Sequence, residues 1–132
     1  MMNNDSEHFH QLTIAQGLRA VLEEQLGSSW QVSIGRYKGE VGAVVIEPIG
    51  MKQPVNAGPS RTIQQEYHFR VHVGQSSDCN DPFNDYEAGE QVFNAASSDP
   101  YLKETCWHAQ VLALRYRPHV SMTVIAKRAE VW

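Results

Sequence analysis

The chain is short of the residue patterns that announce chemistry. Its 132 residues include two cysteines, Cys79 and Cys106, too few for a disulfide framework. The opening MMNNDSEHFHQ lacks the basic, apolar and small-residue succession of a signal peptide, so nothing directs export and both thiols are expected to be reduced. CxxC pairs and Cys/His zinc spacings are absent, which argues against a structural zinc site. No apolar run nears the roughly 20 residues that cross a bilayer. Positive charge is also scarce: 11 Lys and Arg against 15 Asp and Glu give a net charge of -4. A protein whose main task is gripping nucleic acid needs a clustered basic surface instead. Neither a GxSxG elbow nor a GxGxxG or Walker-type glycine loop occurs, so the usual signatures of acyl transfer and of nucleotide binding are missing.

What is present describes a globular domain. Hydrophobic residues make up 42% of the chain and charged residues 20%, and the length suits a single core. Residues 1–11 are polar and aperiodic and are expected to form a flexible tail, with a single domain over 12–132. Thr13 followed by Gln16 reads as a capping box. Ile14, Leu18, Val21, Leu22 and Leu26 then recur at helical spacing, with Gly27 as the stop. Trp30, Val32 and Ile34 alternate as a strand, a turn fills 35–42, and Val41–Ile46 is a second strand that Pro48 ends. Three prolines and two glycines between Pro48 and Ser60 mark a long loop, and loops of that length are usually functional or disordered. The third strand covers Thr62–Gly74. Asp81 and Pro82 read as the N-cap and first turn of a second helix, with Tyr86, Val92, Phe93 and Ala96 as its apolar stripe and an end near Ser97. After a turn through Leu102, strands are expected over His108–Arg117 and Val120–Val131. The order α-β-β-β-α-β-β predicts an α+β fold: a mostly antiparallel sheet with two helices on one face.

Within the third strand, EYHFRVHV puts Tyr67, Phe69, Val71 and Val73 on one face and His68, Arg70 and His72 on the other. His68 and His72 would stand roughly 13 Å apart, too far for one metal ion with bonds near 2 Å. The row therefore reads as a solvated or subunit-contact face rather than a site. His8 and His10 fall on the expected tail. His108 and His119 stand isolated on strands, and either could act as a general base, but no nucleophile accompanies them. A dyad of Cys79 or Cys106 with one of those histidines has no support from spacing. The acidic run from Asp78 to Asp85 fails as an EF-hand, because Pro82 stands where an oxygen ligand is needed and no glycine follows; the positive end of a helix accounts for Asp81 and Asp85. No catalytic residue, cofactor or metal is expected.

Charge is unevenly distributed. Arg115, Arg117, Lys127 and Arg128 lie on the last strands, while acids gather at Glu23–Glu24 and from Asp78 to Glu90. Basic edge strands discourage aggregation; the same division also suits head-to-tail association of identical subunits into a ring.

The element order, the Pro48–Ser60 loop and the QEYHFRVHV strand followed by a helix resemble the tail terminator (tail completion or neck) proteins of long-tailed bacteriophages, over nearly the whole chain from Leu12. No diagnostic motif accompanies the resemblance. It implies a virion protein, made in the host cytoplasm, that forms a homo-oligomeric ring, a hexamer by the family's pattern. The ring caps the tail tube, touches tube and sheath protein, and meets the head-tail connector, while DNA only passes through the lumen. It implies tube or lumen contacts at Met51, Lys52, Gln53 and Arg61, and subunit contacts through the strand edges and the second helix. The residues themselves offer His68, Arg70, His72, Arg115 and Arg117 as a candidate subunit-contact face. The alternatives are another neck or minor tail component of similar fold, or a small α+β enzyme or ligand-binding domain using the His68/Arg70/His72 face.

Overall fold

The structure, a computed structural model, describes residues 3–52, 62–74 and 82–131. Two helices and five strands follow one another as α1 (Asn3–Leu26), β1 (Gln31–Ile34), β2 (Ala43–Lys52), β3 (Thr62–Val73), α2 (Pro82–Ser97), β4 (His108–Arg115) and β5 (Val120–Val131). The strands form one sheet in the order β1-β2-β3-β5-β4. All neighbours pair antiparallel except β1 and β2, which run parallel. The α+β class and the order α-β-β-β-α-β-β are those the sequence predicts.

Alternation along the strands decides the layers. Val44, Ile46, Tyr67, Phe69, Val71, Val73, Met122, Val124 and Ala126 are buried on one face. Ile14, Ala15, Leu18, Leu22, Val92 and Ala96 of the helices complete the same core. α1 packs over β1 and β2, and α2 over β4 and β5. Burying such large apolar side chains is the main stabilising term, roughly 1.5–3 kcal/mol for each. Both helices lie on this inner face; the outer face has its own architecture.

Several boundaries move. α1 begins at Asn3 rather than near Thr13, so Thr13 lies inside the helix and the expected tail over residues 3–11 is helical. Once a turn is anchored, each further residue adds one hydrogen bond without a new nucleation cost, and residues 3–13 contain neither proline nor glycine to interrupt it. The stop at Gly27 holds, in the left-handed conformation at a φ of 72°. β2 continues through Pro48 to Lys52 with a bulge between Pro48 and Gly50. β1 ends at Ile34 opposite Ile46, so on that side Pro48 has no neighbouring strand and its missing N–H costs no ladder bond. Residues 48–52 of the expected loop thus belong to β2; the rest of it lies outside the described residues, as do Asp81 and Cys79. Pro82 does open α2, whose buried stripe is Ala88, Val92, Ala95 and Ala96. Tyr86 is 47% exposed and meets Tyr116 edge-on, ring centres 4.6 Å apart.

Candidate functional site

Parallel neighbours ordinarily need a crossover of about a dozen residues, usually a helix. Here residues 35–42 join β1 to β2 directly. Their ends are tied to the strands they leave and enter: Gly35 N–H donates to Ile46 O at 2.9 Å and Gln31 N–H to Gly42 O at 2.9 Å. Between these ties the segment crosses the outer face of the sheet, and Tyr37 reaches as far as β3. Its ring stacks on His72 with centres 5.0 Å apart and planes at 10°, and on His119 at 4.4 Å and 21°.

His72 is the only buried polar or charged side chain among the described residues, at 6% exposure. It tolerates burial because both ring nitrogens have partners. Nε2–H donates to Glu47 Oε1 at 2.9 Å, and Nδ1 lies 2.8 Å from His119 Nε2. Three elements assemble the group. β2 supplies Glu47, β3 supplies His72, and the residue preceding β5 supplies His119. The register sets His72 beside Val45 on one side and Ser121 on the other, which brings His119 within reach.

The electrostatics follow from the packing. Burial, the neighbouring His72 and the Arg70 guanidinium all push the His119 pKa below the usual histidine value. Burial and the Asp85 carboxylate push the Tyr37 hydroxyl upward. Because His72 spends both nitrogens inside the cluster, it offers no lone pair to a metal in this arrangement. Among the described residues, no group of three His, Cys, Asp or Glu is placed to hold an ion.

This corrects two expectations. His72 belongs to no open surface, since Tyr37 covers it, and His119 is not isolated. The rest of the row behaves as a surface: Arg70 is exposed, and half-buried His68 donates from Nε2 to Glu66 Oε1 at 3.1 Å. Glu66 itself stands between Lys52 and Lys127 in the strand register. Arg115 and Arg117 are exposed at the β4–β5 connection. Met51 and Lys52 pair with Tyr67 and Glu66, while Gln53 and Arg61 lie outside the described residues. His108 is exposed at the start of β4. Cys106 is buried; its thiol lies 3.7 Å from Pro100 O, and burial pushes its pKa up to about 11. No cysteine–histidine dyad forms there.

Sequence reasoning missed the cluster because its members are scattered over residues 37, 47, 72 and 119. The available signal was an aromatic residue in a glycine-flanked connection, GRYKG, which needs an outer-face partner once the connection must cross the sheet. Compared with known proteins, the chain matches no family model, and no curated protein matches it in sequence.

Proposed function

We propose that the chain is a structural virion protein of a long-tailed bacteriophage, a tail terminator that closes into a ring on the tail tube and joins tail to head connector. The observation that carries this reading is the one-sided sheet. Helices cover one face, while beyond the Tyr37 cluster the other face presents charged rows, Glu47–Arg70 and Lys52–Glu66–Lys127, laid out for contact. The element order on which the resemblance rests is also the order of the fold.

Both edge strands are poor templates for open-ended pairing. β1 is four residues long, and β4 is bent by a register shift after Leu112, with Ala113 at a φ of 56°. Such edges discourage runaway strand addition, so subunits would meet through side chains: Arg70, Arg115 and Arg117 of one copy against the exposed acids Glu87 and Glu90 of the next. The β2–β3 hairpin, carrying Met51 and Lys52 and leading to Gln53 and Arg61, would face tube or lumen. A net charge of -4 suits a wall that lets DNA slide. The rival reading, an enzyme or ligand-binding domain working from the His68/Arg70/His72 face, has lost His72 to the buried cluster.

Light scattering and negative-stain imaging at high protein concentration, with and without purified tail tubes, test the proposal. Closed rings, free or capping tubes, are expected. A monomer throughout that caps no tube overturns it.

A further inference from the structure

The connection over residues 35–42 is tied by backbone at its two ends and held across its middle by one side chain. The ties at Gly35 and Gly42 are joined by Ala43 N–H donating to Glu40 O at 3.4 Å and Gly74 N–H to Ala43 O at 2.7 Å. Between them the fastening is Tyr37, lying on the two imidazoles. Beside it the same segment roofs a cleft of about 400 Å³ on the outer face of β1 and β2, lined by Ser33, Arg36, Lys38, Glu40 and Val45 among others. We propose that residues 35–42 form a strap, latched shut by Tyr37 on the His72–His119 pair and released when both rings are fully protonated, which uncovers the outer face around Val45 and His72.

The latch depends on proton count. An N–H···N bond between two imidazoles needs one bare nitrogen. With His72 donating from Nε2 to Glu47, the pair can hold the bond with both rings neutral, or with one extra proton shared between them. A second extra proton leaves two N–H groups facing each other across 2.8 Å. The surrounding charges do not rescue that state. From β2, Glu47 already accepts from His72 Nε2–H. From β3, Arg70 opposes further positive charge at His119, as does His72 itself. From the strap, Tyr37 can face one cation through its ring, while Arg36 and Lys38 bring two positive charges and Glu40 one negative. From α2, Asp85 acts on Tyr37. The repulsion is relieved most cheaply where few contacts must break, at the short strap rather than in β3 and β5, which share twelve register pairs.

Hydrogen exchange resolved by residue, corrected for the intrinsic pH effect, tests this between about pH 7.5 and about pH 5, the range over which imidazoles titrate. Amides of 35–42 should lose at least about tenfold of their protection at the lower pH, with β3 and β5 unchanged. His119→Gln keeps a hydrogen-bonding partner for His72 but cannot titrate; its strap should stay protected at both values. Tyr37→Leu should leave the strap equally unprotected at both. Strap protection that is independent of pH in the wild type, a pH effect that survives in H119Q, or protection lost from the whole sheet at once would each overturn the proposal.

Discussion

His72 Nδ1 and His119 Nε2 lie 2.8 Å apart although 47 positions separate them in the chain. Strand pairing brings the two near: β3 and β5 run in continuous antiparallel register, His72 falls opposite Ser121, and His119 immediately precedes β5. The pair makes stability depend on pH in a definite direction. The His119 pKa is lowered from 6.5 in the folded chain, so on acidification the unfolded chain takes up this proton first. The contribution of His119 is therefore complete above about pH 6.5 and is lost as pH falls toward the folded-state value. Urea midpoints measured from neutral to mildly acid pH should fall more steeply for the wild type than for His119→Gln. Parallel curves for the two proteins would mean that the imidazole pair does not sense the proton.

Gly17 should not tolerate the smallest side chain. In an exposed helix, glycine to alanine gains about 1 kcal/mol. Here a Cβ would stand 2.3 Å from Leu102 O and 2.8 Å from both Thr105 Cγ2 and Oγ1. The threonine could turn away, but the carbonyl belongs to the backbone of a turn anchored by the buried Leu102 side chain. Gly17→Ala is expected to cost a net of about 1–2 kcal/mol, overpacking outweighing propensity, measured as a lower urea midpoint at unchanged m-value.

The turn that crowds Gly17 is itself unusual. Leu102, Lys103 and Glu104 all have positive φ, at 46°, 58° and 64°. Thr105 N–H donates back to Tyr101 O at 3.0 Å and to Leu102 O at 3.3 Å, while the Lys103 ammonium pairs with Glu24 on α1. A left-handed residue other than glycine costs roughly 1–2 kcal/mol, and glycine at the same place costs roughly 0.5–1 kcal/mol in chain entropy. Glu104→Gly, at an exposed position outside the Lys103–Glu24 pair, should therefore stabilise the fold by about 0.5–1 kcal/mol. A calorimetric midpoint no higher than that of the wild type would contradict the balance.

The frame of the molecule was legible where periodicity is strong. Ile14 to Leu26 fixed α1 to its Gly27 stop, and the alternation of Tyr67, Phe69, Val71 and Val73 fixed both the strand and its buried face. Thr13 misled because a capping pattern does not oblige a helix to start when the residues before it can also be helical. Pro48 misled because proline breaks a central strand, and β2 is no longer central once β1 has ended. The cluster was out of reach for a different reason. Alternation along the strand puts His72 on the outer face, but its burial depends on Tyr37 crossing from another strand connection. No local pattern in residues 66–73 records that. A His–Arg–His row on a strand looks the same whether it is open or roofed.

Cys106 should be unreactive in the folded protein. Burial raises its thiol to about 11, with the Asp99 carboxylate pushing the same way, while a backbone hydrogen bond from His108 and the Arg128 guanidinium only partly oppose this. At pH 8 the thiolate fraction would be about one in a thousand. In a Cys79→Ser background, labelling by a thiol reagent at that pH should proceed only as fast as the chain opens, and should become rapid in urea. Prompt labelling of the folded protein would place the thiol in a more exposed setting than the turn against Pro100 provides.

Assembly into the proposed ring should be sensitive to charge at the β4–β5 connection. Arg115 and Arg117 are exposed and flank Tyr116, which packs on Tyr86 of α2. Exposed charge pairs are worth at most about 1 kcal/mol, so reversing the two arginines to glutamate should shift the monomer's unfolding curve only slightly. Across a subunit boundary the same change replaces attraction to Glu87 and Glu90 with repulsion. Like charges brought together at an interface cost several kcal/mol, so ring formation should weaken by at least about tenfold and the wild-type ring should loosen with added salt. Light scattering on the double variant, with Glu87→Arg and Glu90→Arg added as a rescue, separates this contact from others. Restored rings in the four-fold variant, with monomer unfolding curves alike in all three proteins, would assign the two surfaces to each other. Rings unaffected by the first reversal would move the subunit boundary elsewhere on the molecule.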